Sequence, residues 1–246
     1  MIIKTNWRGV GKLDYCYGQT ELAYLCAKDK KLGEAIARIG PLKRSVDSDL
    51  FASVVNNIVG QQITAAAQNT IWTRLCAKAG AISPQSLCAL TRNEVQAAGV
   101  SYKKADFIKA FAEKVQNGQF DLNALWALPD EEVIQRLCTL DGIGVWTAEM
   151  LLIFSMQRPN VVSFGDLAIR RGMRMLYRHR SLTKQQFARY AKRYAPYGTV
   201  ASFYLWAVSA GALPELTDPA PKAKPKAKRK VIHYDDTAKV AGGAAL

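Results

Sequence analysis

The chain has 246 residues, 49% of them hydrophobic, and 34 Lys and Arg against 20 Asp and Glu give it a formal net charge of +14. That apolar content can fill one large domain or two small lobes, and no apolar run reaches the ~18 residues that a membrane span needs. The positive charge points to a polyanionic partner, because phosphate neutralisation with counterion release dominates nucleic-acid affinity; charge alone leaves DNA, RNA, an anionic membrane surface or no partner open.

The opening residues 1–7 lack the apolar stretch and cleavage site of a secretory signal, so a cytoplasmic protein is expected, or a nuclear one in a eukaryote. Gly40-Pro41 marks a turn. Phe51, Val54, Val55, Ile58, Val59, Gln62 and Ile63 follow a 3.6-residue period, predicting a helix with one buried face. Ser83-Pro84 is an N-cap followed by proline at the first helical position. Thr91 with Glu94, and Thr183 with Gln186, have capping-box spacing. Asn117-Gly118 is a second turn. Leu128-Pro129-Asp130-Glu131-Glu132 opens a helix expected to run to Cys138, with acidic residues on its first turn. A strand is suggested only around Val161-Val162-Ser163-Phe164. The fold class is therefore all-α, with short connections between many helices. Residues 1–215 are assigned to the helical domain. Residues 216–246, basic and Pro-interrupted from Pro219, read as a flexible tail that attracts DNA or merely solubilises. Five scattered cysteines (Cys16, Cys26, Cys76, Cys88, Cys138) include no C-x-x-C pair, so they read as small core residues rather than disulfide or zinc ligands.

The most informative stretch is Leu140-Asp141-Gly142-Ile143-Gly144-Val145-Trp146-Thr147-Ala148-Glu149. Two glycines flank one apolar residue between the helix ending near Cys138 and a second helix expected over 145–156. Glycine allows a tight turn and close backbone approach, and the second helix offers free N–H groups at its start, a ready anion site. Taken alone, the turn equally fits an ordinary glycine-capped helix pair. Twenty-two residues after Gly144 comes Asp166, in Val161-Val162-Ser163-Phe164-Gly165-Asp166-Leu167. Alone, it would pass for a helix cap.

Helix, Gly-Ile-Gly hairpin, helix, then a loop with one Asp after an apolar run resembles the helix-hairpin-helix DNA glycosylase superfamily. Upstream, Asn57-Ile58-Val59-Gly60-Gln61-Gln62-Ile63-Thr64 resembles the helix end that carries its Gln-Gln pair. Gly99-Val100-Ser101-Tyr102-Lys103-Lys104-Ala105 resembles its second DNA-facing turn, and Ala195–Trp206 its closing helix. The resemblance covers residues 30–212 and implies two helical lobes, with the N-terminal segment packing on the second and the active-site cleft between them.

Within the superfamily, members that also cut the backbone carry a lysine nucleophile where this chain has Trp146, so lyase activity is not expected. No cysteine follows Cys138, which excludes the family's iron–sulfur cluster. Trp146-Thr147-Ala148 and Trp206 resemble the DNA-3-methyladenine glycosylase II branch, enzymes that remove alkylated purines. The β-rich N-terminal domain of some of them is expected to be missing.

The resemblance assigns roles residue by residue. Asp166 is the expected catalytic carboxylate. Trp146, Trp206, Gln61, Met150 and Tyr197 line the expected base pocket, with Tyr204 a weaker candidate; electron-rich rings suit a cationic alkylpurine. Met150 stands where relatives carry a tyrosine. Gln62 matches the wedge that fills the gap left by the flipped base. Gly142, Ile143, Gly144 and Thr147 at the hairpin, and Tyr102, Lys103 and Lys104 at the second turn, are expected at the DNA backbone. Arg170 and Arg171 stay unassigned between phosphate and water. No cofactor is required; a Na or K ion at hairpin carbonyls near Leu140 and Ile143 is a further expectation. The expected partner of this monomer is damaged double-stranded DNA, with no membrane. The remaining alternatives are a uracil, deaminated-base or oxidised-base glycosylase on the same fold, a non-catalytic helix-hairpin-helix DNA-binding module, and, on charge only, an RNA-binding protein.

Overall fold

The computed structural model describes residues 13–221. It is built almost wholly of α-helices, in the order α1 (Gln19–Lys28), α2 (Lys30–Ile39), α3 (Leu50–Gly60), α4 (Ala65–Ala79), α5 (Pro84–Ala89), α6 (Arg92–Gln96), α7 (Tyr102–Gln116), α8 (Asp130–Leu137), α9 (Val145–Phe154), α10 (Leu167–Tyr177), α11 (Lys184–Tyr194) and α12 (Gly198–Ser209). Side chains just before the helices set most of the starts. Asp29, Asp49, Thr64 and Ser101 each accept an N–H of the first turn of α2, α3, α4 and α7. The predicted caps at Ser83-Pro84, Thr91/Glu94 and Thr183/Gln186 form as reciprocal or proline-assisted starts of α5, α6 and α11.

Packing divides these helices into two groups. Helices α4 and α7 pack on α3 and α5 and α6 on α7, while α1, α2, α10, α11 and α12 pack together; α9 joins the first group through α3 and carries α8. The N-terminal segment is tied to the second group by polar contacts. The Tyr24 hydroxyl donates to Ala195 O (2.6 Å), and Asp29 accepts from Tyr177 (2.8 Å) and Arg193 (2.7 Å). Helix α12 is the axis of that group, with ten of its residues from Thr199 to Ser209 buried. It approaches α10 so closely that a Cβ on Gly172 would lie 2.1 Å from Leu205 O.

Four features depart from the sequence expectations. A two-residue antiparallel ladder joins β1 (Leu13–Asp14) to β2 (Ser45–Val46), pairing Leu13 with Val46, and it is too short to leave an alternating pattern. The suggested strand at 161–164 is a loop, because side chains take its backbone groups: Val161 N donates to Thr199 Oγ1 (3.0 Å) and Val161 O accepts from Ser202 Oγ (2.9 Å). The predicted tail boundary at 216 is too early. Leu216 packs on the core, and Asp218 bonds Arg174 Nε at 3.0 Å; the basic run beyond 221 lies outside the described residues. Cys16 and Cys26 are exposed rather than buried; all five cysteines are free thiols. Among the described residues no helix is long and apolar enough to cross a membrane.

Candidate active site

Asp166 stands at the N-cap of α10 and is 8% exposed. Its Oδ1 accepts from Ala168 N and Ile169 N, both at 2.8 Å, which is the cap itself. Two further donors come from distant parts of the chain. The indole N–H of Trp146, in the first turn of α9, donates to Oδ2 at 3.0 Å, and that of Trp206, in α12, donates to Oδ1 at 3.2 Å. Four N–H groups on two oxygens is the bonding pattern of an ionised, acceptor-only carboxylate. A helix cap needs only the first two.

The two tryptophans differ in exposure. Trp146 is 46% exposed and stands at the surface over the carboxylate. Trp206 is partly buried, its ring stacked on Phe154 (centroids 5.7 Å apart, 21°) and near-parallel to Phe203 (6.1 Å, 27°). One ring is free to meet a ligand; the other is locked by the core. The loop before Asp166 runs against the first turn of α9: a Cβ on Gly165 would lie in ordinary contact with Trp146 Cβ at 3.4 Å.

A second carboxylate lies beside the first. Glu149, one turn along α9 from Trp146, accepts a hydrogen bond from Ser163 Oγ, a fully buried hydroxyl in the loop before Asp166. Burial raises the Glu149 carboxyl above the usual carboxylate range, the Ser163 bond opposes this, and the charge of Asp166 pushes it further up. Sequence reading assigned Glu149 no role. Its one signal was its i+3 spacing from Trp146 on a helix that otherwise buries apolar residues.

The hairpin lies at the start of α9. Gly142 has φ +81°, and a Cβ there would fall 2.7 Å from Phe107 Cδ2 in α7, so both conformation and space require glycine. Ile143, 5% exposed, anchors the turn in the core, and Thr147 is buried too. These two offer a partner their backbone rather than their side chains. The N–H groups of Val145, Trp146 and Thr147 lie before the first α9 bond, which runs from Ala148 N to Gly144 O (3.0 Å), and nothing stands within 4 Å of a Cβ on Gly144. Leu140 O accepts Ile143 N at 3.1 Å, and a carbonyl keeps a second lone pair for a hard cation.

The Gln-Gln turn meets the hairpin directly. Gln61 Nε2 donates to Gly142 O at 2.6 Å, so this side chain joins α3 to the hairpin instead of lining a base pocket. Gln62 is exposed with φ +57°, a left-handed conformation that is unfavourable by roughly 1–2 kcal/mol for a residue with a Cβ. Lys104 corrects an expectation. Its ammonium donates to Val59 O (2.8 Å) and Gln61 O (2.7 Å), closing the carbonyl end of α3, and burial lowers its pKa. It braces the turn under Gln62 and does not stand free for a phosphate. Tyr102, 48% exposed, and Lys103 do face outward, with Lys103 Nζ 5.6 Å over the same Phe107 ring that supports Gly142.

Two pocket expectations also change. Tyr197 packs edge-on against Tyr24 of α1 (5.2 Å, 83°), a core contact of the terminal segment. Tyr204 is fully buried, with its hydroxyl on Gly40 O at 3.1 Å. Met150 is buried one turn along α9 from Trp146. No group of three or more His, Cys, Asp or Glu among the described residues could hold a metal ion.

A helical fold that sets a Gly-Ile-Gly hairpin beside a buried, fully bonded aspartate defines a DNA-repair class. The chain belongs to the HhH-GPD superfamily of base excision DNA repair proteins, whose model matches residues 55–196. It is 31% identical over 202 residues to DNA-3-methyladenine glycosylase 1 of Schizosaccharomyces pombe, covering 80% of this chain and 86% of that protein. Among solved structures it is similar to a DNA-3-methyladenine glycosidase of Bacillus halodurans (TM-score 0.73, 32% identity, 80% of this chain and 92% of that one). It is also similar to the Schizosaccharomyces pombe 3-methyladenine DNA glycosylase in complex with abasic DNA (TM-score 0.67, 29% identity, 81% and 100%).

Proposed function

We propose that this protein is a monofunctional DNA glycosylase that hydrolyses the N-glycosidic bond of alkylated purines, of the 3-methyladenine and 7-methylguanine type, in duplex DNA. The observation that carries the reading is the Trp146–Asp166–Trp206 group, a carboxylate bonded by two indoles with a tryptophan where a lyase would need an amine.

The chemistry needs little from the protein beyond charge and position. An alkylated purine is a cation, so it leaves neutral when it takes the electron pair of the C1′–N bond. No general acid has to protonate it. The sugar passes through an oxocarbenium-like state, as in glycoside hydrolysis, and a negative carboxylate beside it lowers that barrier. Water then adds to C1′ and gives up its proton, with Asp166 as the acceptor in this reading. The exposed face of Trp146 holds the cationic base by stacking and cation–π attraction. Gln62, held out by the Lys104 and Gln61 bonds, fills the gap left by the flipped nucleotide, whose extrusion costs a few kcal/mol and less at a damaged base. The backbone N–H groups at the start of α9 bind a phosphate. The Leu140 and Ile143 carbonyls would hold a Na or K ion, which would add positive charge beside that phosphate. The protein works as a monomer on the chromosome, in the cytoplasm or in the nucleus of a eukaryote.

The test is base release from methylated duplex DNA, with the freed bases identified by chromatography. Wild type is expected to release alkylpurines and leave the strand uncut. Asp166→Asn keeps a good helix cap and is expected to lose about 10²–10³ in rate with the fold intact. Release at the wild-type rate by the variant would remove Asp166 from the mechanism. Duplex binding without any release by wild type would favour a DNA-binding module, and release only from uracil- or oxidised-base duplexes would move the substrate class.

A further inference from the structure

Beyond the hairpin, one cluster of charge at the mouth of this site has no role in the reading above. Phe164 lies two residues before Asp166, its ring set edge-on against Phe187 of α11 (5.1 Å, 85°). Two cations lie against that ring. Arg170 Cζ is 4.9 Å from its centroid and Lys184 Nζ is 5.8 Å from it.

We propose that Arg170 and Lys184, held over Phe164, form a second binding site for a DNA phosphodiester, separate from the Gly142–Gly144 hairpin. The proposal rests on the DNA glycosylase reading.

Among the described residues, neither Arg170 nor Lys184 lies within ion-pair distance of a carboxylate. The ion pairs there take Arg38, Arg92, Arg158, Arg171, Arg174 and Arg193. The contrast within α10 is direct: Arg171 and Arg174 are both held by Asp218, whereas Arg170 has no acid partner among the described residues. Arg170 Nε is buried and makes no hydrogen bond. Nε is closed off from an incoming anion, but the terminal nitrogens of the guanidinium make no hydrogen bond among the described residues and can donate to a phosphate oxygen. Two like charges on one ring repel, and the cation–π contacts offset this only in part. A phosphate bound at either cation relieves that repulsion. The ring also holds both side chains in place, which reduces the ordering entropy of binding.

The setting selects a nucleic-acid phosphate. Lys184 is the first residue of α11, so the N-terminus of α11 lies at Phe164, near the start of α10 at Asp166. The start of α9 adjoins the same loop through Gly165 and Trp146. The acids there are Asp166, whose oxygens are taken by four N–H groups, and Glu149, bonded to Ser163. Neither makes an ion pair with Arg170 or Lys184.

The test measures binding of the full chain to a duplex carrying a stable abasic-site analogue, across a series of KCl concentrations. Arg170→Gln and Lys184→Gln are each expected to lower the slope of log K against log salt by up to about 0.9 and to weaken damaged and undamaged duplex alike. The charge-keeping pair Arg170→Lys and Lys184→Arg should retain the slope, as should Arg171→Gln, whose charge Asp218 already offsets. Melting temperatures within a degree or two of wild type, expected for partly exposed side chains, separate this from misfolding. An unchanged slope in the double Gln variant overturns the proposal. Failure of wild type to bind any duplex would instead overturn the glycosylase reading beneath it.

Discussion

The indole N–H of Trp146 donates to Oδ2 of Asp166 at 3.0 Å, across twenty residues of sequence. The ring proposed to meet the base and the carboxylate proposed to meet the sugar are therefore one bonded unit. Trp206 completes it from the opposite side, on a ring that the core immobilises.

Trp146→Phe keeps an aromatic face and removes the N–H. A hydrogen bond to a charged group contributes about 1.5–3 kcal/mol, so base release is expected to slow by about ten- to a hundredfold. The bond is already made in the free protein, so folding stability is expected to fall as well, by up to about the same 1.5–3 kcal/mol. Single-turnover release and a melting curve check both. A variant as fast as wild type would mean that the bond plays no part in catalysis.

Glu149 makes stability depend on pH. Its folded pKa lies above its unfolded value, so between the two values the unfolded chain binds fewer protons and stability falls as pH rises. Glu149→Gln keeps an acceptor for Ser163 and removes the titration. The melting temperature of the variant should gain on wild type as pH rises through that window. A difference between the two that stays constant from about pH 4 to pH 8 would show that Glu149 carries no such linkage.

The two hairpin glycines should fail in different ways. Gly142→Ala forces a Cβ against Phe107 at φ +81°, which is expected to destabilise the fold by about 1–3 kcal/mol. Gly144→Ala meets open space at φ −100°. Its melting temperature should hold, while the added methyl group blocks the approach of a phosphate and weakens duplex binding. Melting curves and binding isotherms for the pair decide. A Gly144 variant that binds as wild type would remove the hairpin N–H groups from the DNA contact.

Much of this protein was readable without coordinates, for a local reason. Helix caps at Ser83, Thr91, Thr183 and Asp166 act on N–H groups two or three residues away, and the buried face of α3 repeats every turn. The Gly142–Gly144 turn is likewise a matter of neighbouring dihedrals. What each long side chain reaches is set by residues far away in the chain. Lys104 was expected at the DNA backbone because its turn resembles the family's second DNA-facing turn, but carbonyls 43 and 45 residues earlier draw it in. Tyr197 turns to α1, 173 residues before it, and the chain from 216 to 221 folds back because Asp218 meets Arg174. Asp166 as a helix cap was legible in its own loop; Asp166 as the center of a two-indole site exists only because α12 packs on α10 closely enough to bring Trp206 to it.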